Sequence, residues 1–254
     1  MQSSIHLLLI GRSLKKLIKQ PMAPLMGFLM SLFFLLVYNA GIGGVGFLKE
    51  FGDAGYYAFI FPVTIISLAM GSSSGAGQTL FNDMQSGYFK RMFLSPVPRY
   101  LLVLSPIIAD LFSSLLFTFL MLLIGALTGL HFQFSLISWL GVMLISLLWS
   151  LFLCALSAGI MVRTGQPQSV SALTSIIFSM LFLSTTFMPA ELIKAKWLLL
   201  ISKINPVTYA LEGIRNFLGG TASFDYVIYA VLILGFMSLL SVIFALCSTR
   251  KMKI

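Results

Sequence analysis

Residues 111–162 have the sequence LFSSLLFTFLMLLIGALTGLHFQFSLISWLGVMLISLLWSLFLCALSAGIMV, which contains no Asp, Glu, Lys or Arg. Asp110 and Arg163 flank this stretch of 52 uncharged residues. One bilayer crossing needs about 20 apolar residues in a helix. The stretch therefore predicts two crossings with a tight turn near 128–135. The first of these helices begins near Leu101, and the second ends near Met161.

The composition of the whole chain agrees with a membrane location. Of its 254 residues, 59% are apolar and 9% are charged, whereas a soluble domain usually carries about a quarter charged residues. The net charge of +9 does not indicate nucleic-acid binding, because the basic residues cluster in short segments between apolar runs instead of forming one stripe. The length fits a single membrane domain, residues 1–254, without a soluble catalytic domain.

The remaining uncharged intervals predict four more crossings, at Met22–Tyr38, Tyr56–Thr79, Ser169–Phe187 and Tyr226–Cys247. The predicted fold is an all-α integral membrane protein with six transmembrane helices. An even number of crossings puts both termini on one side. If that side is the cytoplasm, 11 Lys and Arg residues lie inside and 5 lie outside, which is the usual bias. We therefore expect a multi-pass protein of the cytoplasmic membrane with both termini cytoplasmic.

The N-terminal segment, residues 1–20, precedes the first crossing. Leucines and isoleucines alternate there with Arg12, Lys15, Lys16 and Lys19. This pattern is typical of a basic amphipathic helix that lies on the anionic inner leaflet. A simple positive anchor for the first helix is the alternative.

A second unusual segment, residues 81–99, lies between the second and third crossings. Aromatic and methionine side chains recur at three- to four-residue spacing from Phe81 to Phe93, and Pro96 and Pro98 follow them. The spacing predicts a short amphipathic helix that the prolines end. Such a helix either enters a groove of a partner protein or rests on the bilayer surface.

The third unusual segment, residues 188–220, is too apolar for a free loop. It is interrupted at Pro189 and again at Asn205-Pro206, and a proline ends or kinks a helix. We expect two short helices that fold back into the outer leaflet as a re-entrant hairpin. Trp197 and Tyr209 would then lie at headgroup depth, with the basic residues of the segment flanking the half-helices.

Two of these segments together resemble a known family. DMQSGYFKRMFLSPVPR at 83–99 is similar to the first cytoplasmic loop of ABC-2 type export permeases, and FMP at 187–189, INPVTY at 204–209 and GIR at 213–215 are similar to their outer hairpin. The likeness covers essentially the whole chain and is nearest to drug-resistance and lipid exporters. Ser184-Thr185 and Lys196 depart from the family pattern within the hairpin.

The resemblance implies a half-transporter. Two copies of the chain would pair in the membrane, and two separate ATPase subunits would bind ATP and Mg, so that this chain needs no cofactor of its own. The implied ATPase-coupling residues are Gln85, Gly87, Tyr88, Phe89, Lys90, Arg91 and Phe93. The implied hairpin residues are Pro189, Trp197, Asn205, Pro206, Tyr209 and Arg215.

Asp110 is the acidic residue that lies well inside a predicted span. Ionisable groups at that depth are costly and suggest function. Asp110 is therefore either a proton or cation site on the transport path or a structural group that contacts the backbone or Arg163. Gly71 and Gly75 belong to a run of small residues that either lines this path or allows close helix packing.

Other motifs favour a transport subunit over an enzyme. The sequence contains no Gly-x-x-x-x-Gly-Lys-Ser/Thr motif, so energy comes from another chain or from an ion gradient. The glycine run 41–46 matches a dinucleotide pattern but follows a transmembrane helix instead of a strand. His6 and His131 are isolated, which predicts no metal site. A gradient-driven transporter that uses Asp110, a polysaccharide or glycolipid exporter and a membrane-embedded scaffold or enzyme subunit remain alternatives.

Overall fold

The structure is a computed structural model that describes residues 11–13, 15, 22–42, 55–94, 98–128, 136–219 and 224–249. Most of the predicted interfacial helix at 1–20 lies outside the described residues, as do His6, His131 and residues 43–46 of the glycine run.

Every regular element in the described part of the chain is helical, which confirms the all-α prediction. A single 3-10 turn, Ala190–Leu192, lies between α6 and α7. The helices are α1 (Met22–Ile42), α2 (Gly55–Gln85), α3 (Tyr88–Phe93), α4 (Arg99–Leu127), α5 (Leu136–Thr164), α6 (Pro167–Phe182), α7 (Lys196–Ile204), α8 (Pro206–Phe217) and α9 (Phe224–Thr249).

Four of these helices, α2, α4, α5 and α9, are long and apolar enough to cross a membrane. Two further apolar helices are shorter, namely Leu25–Tyr38 within α1 and the whole of α6. At 1.5 Å per residue, the 16 residues of α6 extend about 24 Å, less than the hydrocarbon thickness of about 30 Å. The chain is thus a multi-pass membrane protein, with four candidate spans among the described residues.

Several helix ends differ from the prediction from sequence, those of α2 and α6 by the most; α1 also ends at Ile42 rather than Tyr38. α2 continues past Thr79 to Gln85, so the start of the predicted amphipathic segment belongs to the long helix. α6 ends at Phe182 rather than Phe187. There, the hydroxyls of Ser184 and Thr186 each donate a 2.7 Å hydrogen bond to the Leu181 carbonyl. Such side-chain bonds offer the backbone an alternative to helical bonding.

The long helices form an antiparallel bundle around α2. In its most apolar stretch α2 is 80% buried, whereas α9 is 28% buried and lies at the edge. We call one end of the bundle the basic end: it holds the C-termini of α2, α5 and α9, the N-termini of α4 and α6, and α3. The other end, which carries α7 and α8, is the hairpin end.

Close packing of α2 depends on glycine. Gly71 of α2 faces Gly27 of α1 so closely that a Cβ atom on Gly71 would lie 2.9 Å from the Gly27 Cα. Small residues at such crossings let helix backbones approach each other in lipid. Gly71 is therefore a packing position in this conformation.

Candidate functional site

At the basic end, α2 breaks into α3 at Gly87. Gly87 has a φ of 67°, the left-handed region that glycine adopts without a steric penalty. The Gly87 N–H donates to the Met84 carbonyl, and the Arg91 N–H donates to the Gly87 carbonyl. The chain therefore turns sharply and at once starts the six-residue helix α3.

Arg12 connects the N-terminal segment to this turn. Its Nη1 and Nη2 donate hydrogen bonds of 3.2 and 3.0 Å to the two carboxylate oxygens of Asp83. Its guanidinium carbon also lies 3.6 Å from the centre of the Tyr88 ring. Burial lowers the pKa of Arg12, but the hydrogen bond and the charge of Asp83 outweigh it, so that the net pKa is raised. The guanidinium thus remains charged and clamps the end of α2 to the start of α3.

The predicted ATPase-coupling residues do not share one face. Gln85 and Arg91 are exposed, and Tyr88 is half-buried beside Arg12. Phe89 points inward, at 6% exposure, into the apolar cluster of the basic end. The side chains of Lys90 and Phe93 lie outside the described part of the chain.

At the hairpin end, Asn205 joins three helices. Its Oδ1 accepts a 3.0 Å hydrogen bond from the Val207 N–H, which caps the start of α8, and its Nδ2 donates a 2.6 Å bond to the Met180 carbonyl near the end of α6. Pro206 occupies the first turn of α8, where a missing N–H is tolerated. The Asn-Pro pair therefore both separates α7 from α8 and fixes their junction on α6.

Arg215 is the second anchor of this end, and it is 4% exposed. Its Nε donates a 3.1 Å hydrogen bond to the Phe59 carbonyl. Its Nη1 donates to Thr185 Oγ1 at 3.2 Å and to Glu212 Oε1 at 2.6 Å. Its Nη2 donates to the main-chain carbonyls of Thr185 at 2.8 Å and Thr186 at 3.4 Å. All five N–H groups of the guanidinium therefore have an acceptor.

The sequence analysis expected the basic residues of this segment to flank half-helices at headgroup depth. This expectation fits some of them but not Arg215. The side chain of Lys203 is exposed, as that interpretation requires, and Trp197 is 63% exposed on α7. Arg215 instead lies inside the bundle, because Glu212 and three carbonyls compensate the loss of its hydration. Tyr209 donates a 2.7 Å bond to the Lys203 carbonyl, and Pro189 precedes the 3-10 turn.

Asp110 lies at the crossing of α4 with α2. It is 6% exposed, and a Cβ atom on Gly75 would lie 2.7 Å from Asp110 Oδ2. That oxygen accepts no hydrogen bond within the described residues. Arg163, the partner considered from sequence, instead donates to Ser248 Oγ at 3.0 Å and lies over the Phe244 ring.

One exposed helix face is polar. Ser171, Ser175 and Ser179 follow each other at four-residue spacing on α6, and with Thr174 and Phe178 they line an open groove of about 460 Å³. Each serine hydroxyl donates to a carbonyl one turn earlier in α6. Helices α1, α4 and α9 expose many large apolar side chains, whereas this stretch of α6 also exposes a row of hydroxyl groups.

The sequence analysis did not predict that Arg12 pairs with Asp83 at the basic end or that Arg215 pairs with Glu212 at the hairpin end. Glu212 and Arg215 stand three residues apart in a helix, a spacing that predicts contact. Asp83 was part of the family-like motif, but nothing in the sequence pairs it with Arg12. Among the described residues, no group of three or more His, Cys, Asp or Glu side chains is arranged to hold a metal ion.

The sequence is similar to those of known transporter permeases. A sequence model described as ABC-2 type transporter matches residues 6–218. The daunorubicin resistance ABC transporter permease protein DrrB1 of Streptomyces coeruleorubidus is 24% identical over 199 residues, 77% of this chain and 68% of that protein. The probable doxorubicin resistance permease protein DrrC of Mycobacterium tuberculosis is 24% identical over 191 residues, 75% of this chain and 68% of that protein. The putative transport permease ycf38 of Cyanophora paradoxa is 24% identical over 215 residues, 82% of this chain and 71% of that protein.

Proposed function

Because the chain belongs to the ABC-2 type transporter family, we propose that it is the permease subunit of an ATP-driven exporter for a drug-like, lipidic or amphipathic molecule. The observation that carries the proposal is the turn at Gly87, after which the short helix α3 begins directly at the end of α2. A short helix at a bundle end that packs against the core suits the transmission of force from a docked protein.

The charge distribution supports one orientation in the membrane. The exposed side chains at the basic end include Lys15, Arg91, Arg99 and Arg163. Positive residues are enriched on the cytoplasmic side, so the basic end would face the cytoplasm and the hairpin end would face outward. If α1 and α6 also cross the membrane, the chain has six crossings and both termini lie on the same side. The protein would then lie in the cytoplasmic membrane with both termini in the cytoplasm.

The same end would dock the ATPase subunits. Gln85 and Arg91 are exposed on either side of the turn, and a groove on each ATPase would receive α3. ATP and Mg would be bound by these partner subunits, and this chain would hydrolyse nothing itself. Phe89 would act indirectly, because its ring packs into the permease core.

The α6 face supports pairing with a second copy. Serine residues that recur every four positions are typical of contacts between helices in lipid. Their small size allows close approach, and their hydroxyl groups can form interhelical hydrogen bonds. Two copies that meet along α6 would convert the open groove of Ser171, Ser175 and Phe178 into a shared cavity. A cavity with both hydroxyl and aromatic lining fits an amphipathic substrate better than a long, uniformly polar polysaccharide.

A co-purification experiment tests the proposal. The permease is co-expressed with candidate ABC ATPases, and the doubly substituted variant Gln85→Ala/Arg91→Glu is compared with wild type. We expect ATPase association and substrate-stimulated ATP hydrolysis to fall at least tenfold in the variant. Lys203→Glu, an exposed charge reversal at the hairpin end, is the matched control. Equal association of all three proteins would refute docking through α3.

Asp110 supports a second candidate, a proton- or cation-driven transporter, because its buried Oδ2 has no hydrogen-bond partner among the described residues. The two functions differ in their energy source. Under the leading proposal, Asp110→Asn transports as well as wild type, and transport stops when the ATPase is inactivated. Transport that survives ATPase inactivation but is abolished by Asp110→Asn and by an ionophore would favour the second candidate.

A further inference from the structure

We propose that Arg12 is a positioning residue that holds α3 in the orientation in which the ATPase binds it. The inference rests on the proposed function, because it assigns the N-terminal segment a part in the coupling surface. Arg12 would act through Asp83 and Tyr88 and would not need to touch the ATPase.

Arg12 contacts residues on both sides of the turn at Gly87. Asp83 lies four residues before Gly87, and Tyr88 lies immediately after it. Arg12 binds the first through two hydrogen bonds of 3.2 and 3.0 Å and covers the ring of the second at 3.6 Å. A planar guanidinium can do both at once, since its edge carries the donors and its face stacks on aromatic rings.

The burial of Asp83 strengthens its pairing with Arg12. Asp83 is largely buried, with a side-chain exposure of 8%, whereas that of Arg12 is 38%. A carboxylate at such a site loses much of its hydration, so a paired cation is strongly favoured there. Arg12 therefore has one fixed partner instead of the many that a surface arginine samples.

The helix itself does not supply the orientation. α3 has six residues, and isolated helices shorter than about 12 residues are marginal in water. Gly87 adds a backbone position that tolerates many conformations. Among the described side chains, the tertiary contacts that fix α3 include the packing of Phe89 and Tyr88 in the apolar cluster and the stack of Arg12 on Tyr88.

The consequence for ATPase binding follows from the populations of α3 orientations. When a fraction of molecules holds the competent orientation, the apparent dissociation constant rises by the inverse of that fraction. If loss of the Arg12 contact leaves roughly a tenth of the molecules in that orientation, ATPase affinity falls about tenfold. The ATPase alone, without permease, is unaffected.

The test combines two measurements on the full-length permease. Affinity for a candidate ABC ATPase that binds the wild-type permease is measured for Arg12→Ala, Asp83→Ala and the double variant, and hydrogen–deuterium exchange is followed over residues 84–94 without ATPase. Lys15→Ala is the matched control, because it removes an exposed positive charge from the same segment. Arg12→Lys keeps the charge but lacks the bidentate fork.

We expect each single alanine variant to bind ATPase about tenfold more weakly. The double variant should bind no more weakly than Arg12→Ala, since the Arg12–Asp83 pair is already lost in that variant. Exchange at 84–94 should rise in Arg12→Ala, rise less in Arg12→Lys and stay unchanged in Lys15→Ala. Wild-type affinity and exchange in Arg12→Ala, or an equal loss in Lys15→Ala, would overturn the inference while leaving the proposed function intact. Failure of wild-type permease to bind any ABC ATPase would overturn both.

Discussion

The Nε of Arg215 donates a 3.1 Å hydrogen bond to the main-chain oxygen of Phe59, 156 residues earlier in the chain, and its guanidinium lies 3.6 Å from the centre of the Phe59 ring. One side chain on α8 therefore contacts both the backbone and the aromatic face of α2. Since α2 runs from the hairpin end to the turn at Gly87, the two ends of the bundle are joined by one continuous helix.

The first prediction concerns Arg215. We expect Arg215→Ala to lower the free energy of unfolding by about 3–5 kcal/mol, because Glu212 and three main-chain carbonyls lose their donor in a buried site. Arg215→Lys should recover less than half, since an ammonium has three donors and no fork. Thermal unfolding of the purified permease in detergent measures both. Lys203→Ala, an exposed cation of the same hairpin, is the control and should unfold as wild type does.

The second prediction separates the two roles of Asn205. Asn205→Asp keeps the acceptor that caps α8 but loses the donor to Met180; Asn205→Ala loses both. We expect Asn205→Ala to destabilise the protein by about 1–2 kcal/mol and the aspartate variant to fall between alanine and wild type. Thermal unfolding again provides the measurement. An aspartate variant less stable than the alanine variant would mean that the cost of a buried carboxylate facing the Met180 carbonyl exceeds the gain from the cap.

The third prediction concerns the α1–α2 crossing. A Cβ atom at Gly71 would lie 2.9 Å from the Gly27 Cα, and backbone cannot move aside as a side chain can. Gly71→Ala should therefore cost about 1–3 kcal/mol of stability. Gly235→Ala on α9 is the matched control, because its added methyl group meets no atom within 4 Å. Equal stability of the two variants would contradict the close crossing.

The fourth prediction concerns the turn at Gly87. Gly87→Ala places a side chain in the left-handed region, at a cost of about 1–2 kcal/mol, which the chain would avoid by reorienting α3. We expect weaker ATPase association with little change in the unfolding temperature of the bundle. Asn tolerates this region better than Ala, so Gly87→Asn should retain more association. Equal association of alanine, asparagine and wild-type proteins would mean that the turn geometry does not matter for docking.

The candidate site was only partly predictable. The sequence located the proline-broken hairpin and the aromatic segment after α2, because glycine and proline act on the local backbone. It grouped Phe89 with Gln85 as coupling residues, although Phe89 lies in the core. Amphipathic spacing shows that a short helix has two faces. It does not show which face a neighbouring helix covers.

The sequence by itself determined that this chain is a helical membrane protein and where most of its helices run, because uncharged length and the scarcity of charge follow from the cost of polar groups in lipid. Only the tertiary structure decided that Arg12 meets Asp83, that Arg215 meets Phe59 and that Gly75 faces Asp110. Each of these contacts depends on how helices far apart in sequence rotate and approach one another. That choice is made by packing over the whole bundle, which no local pattern of residues records.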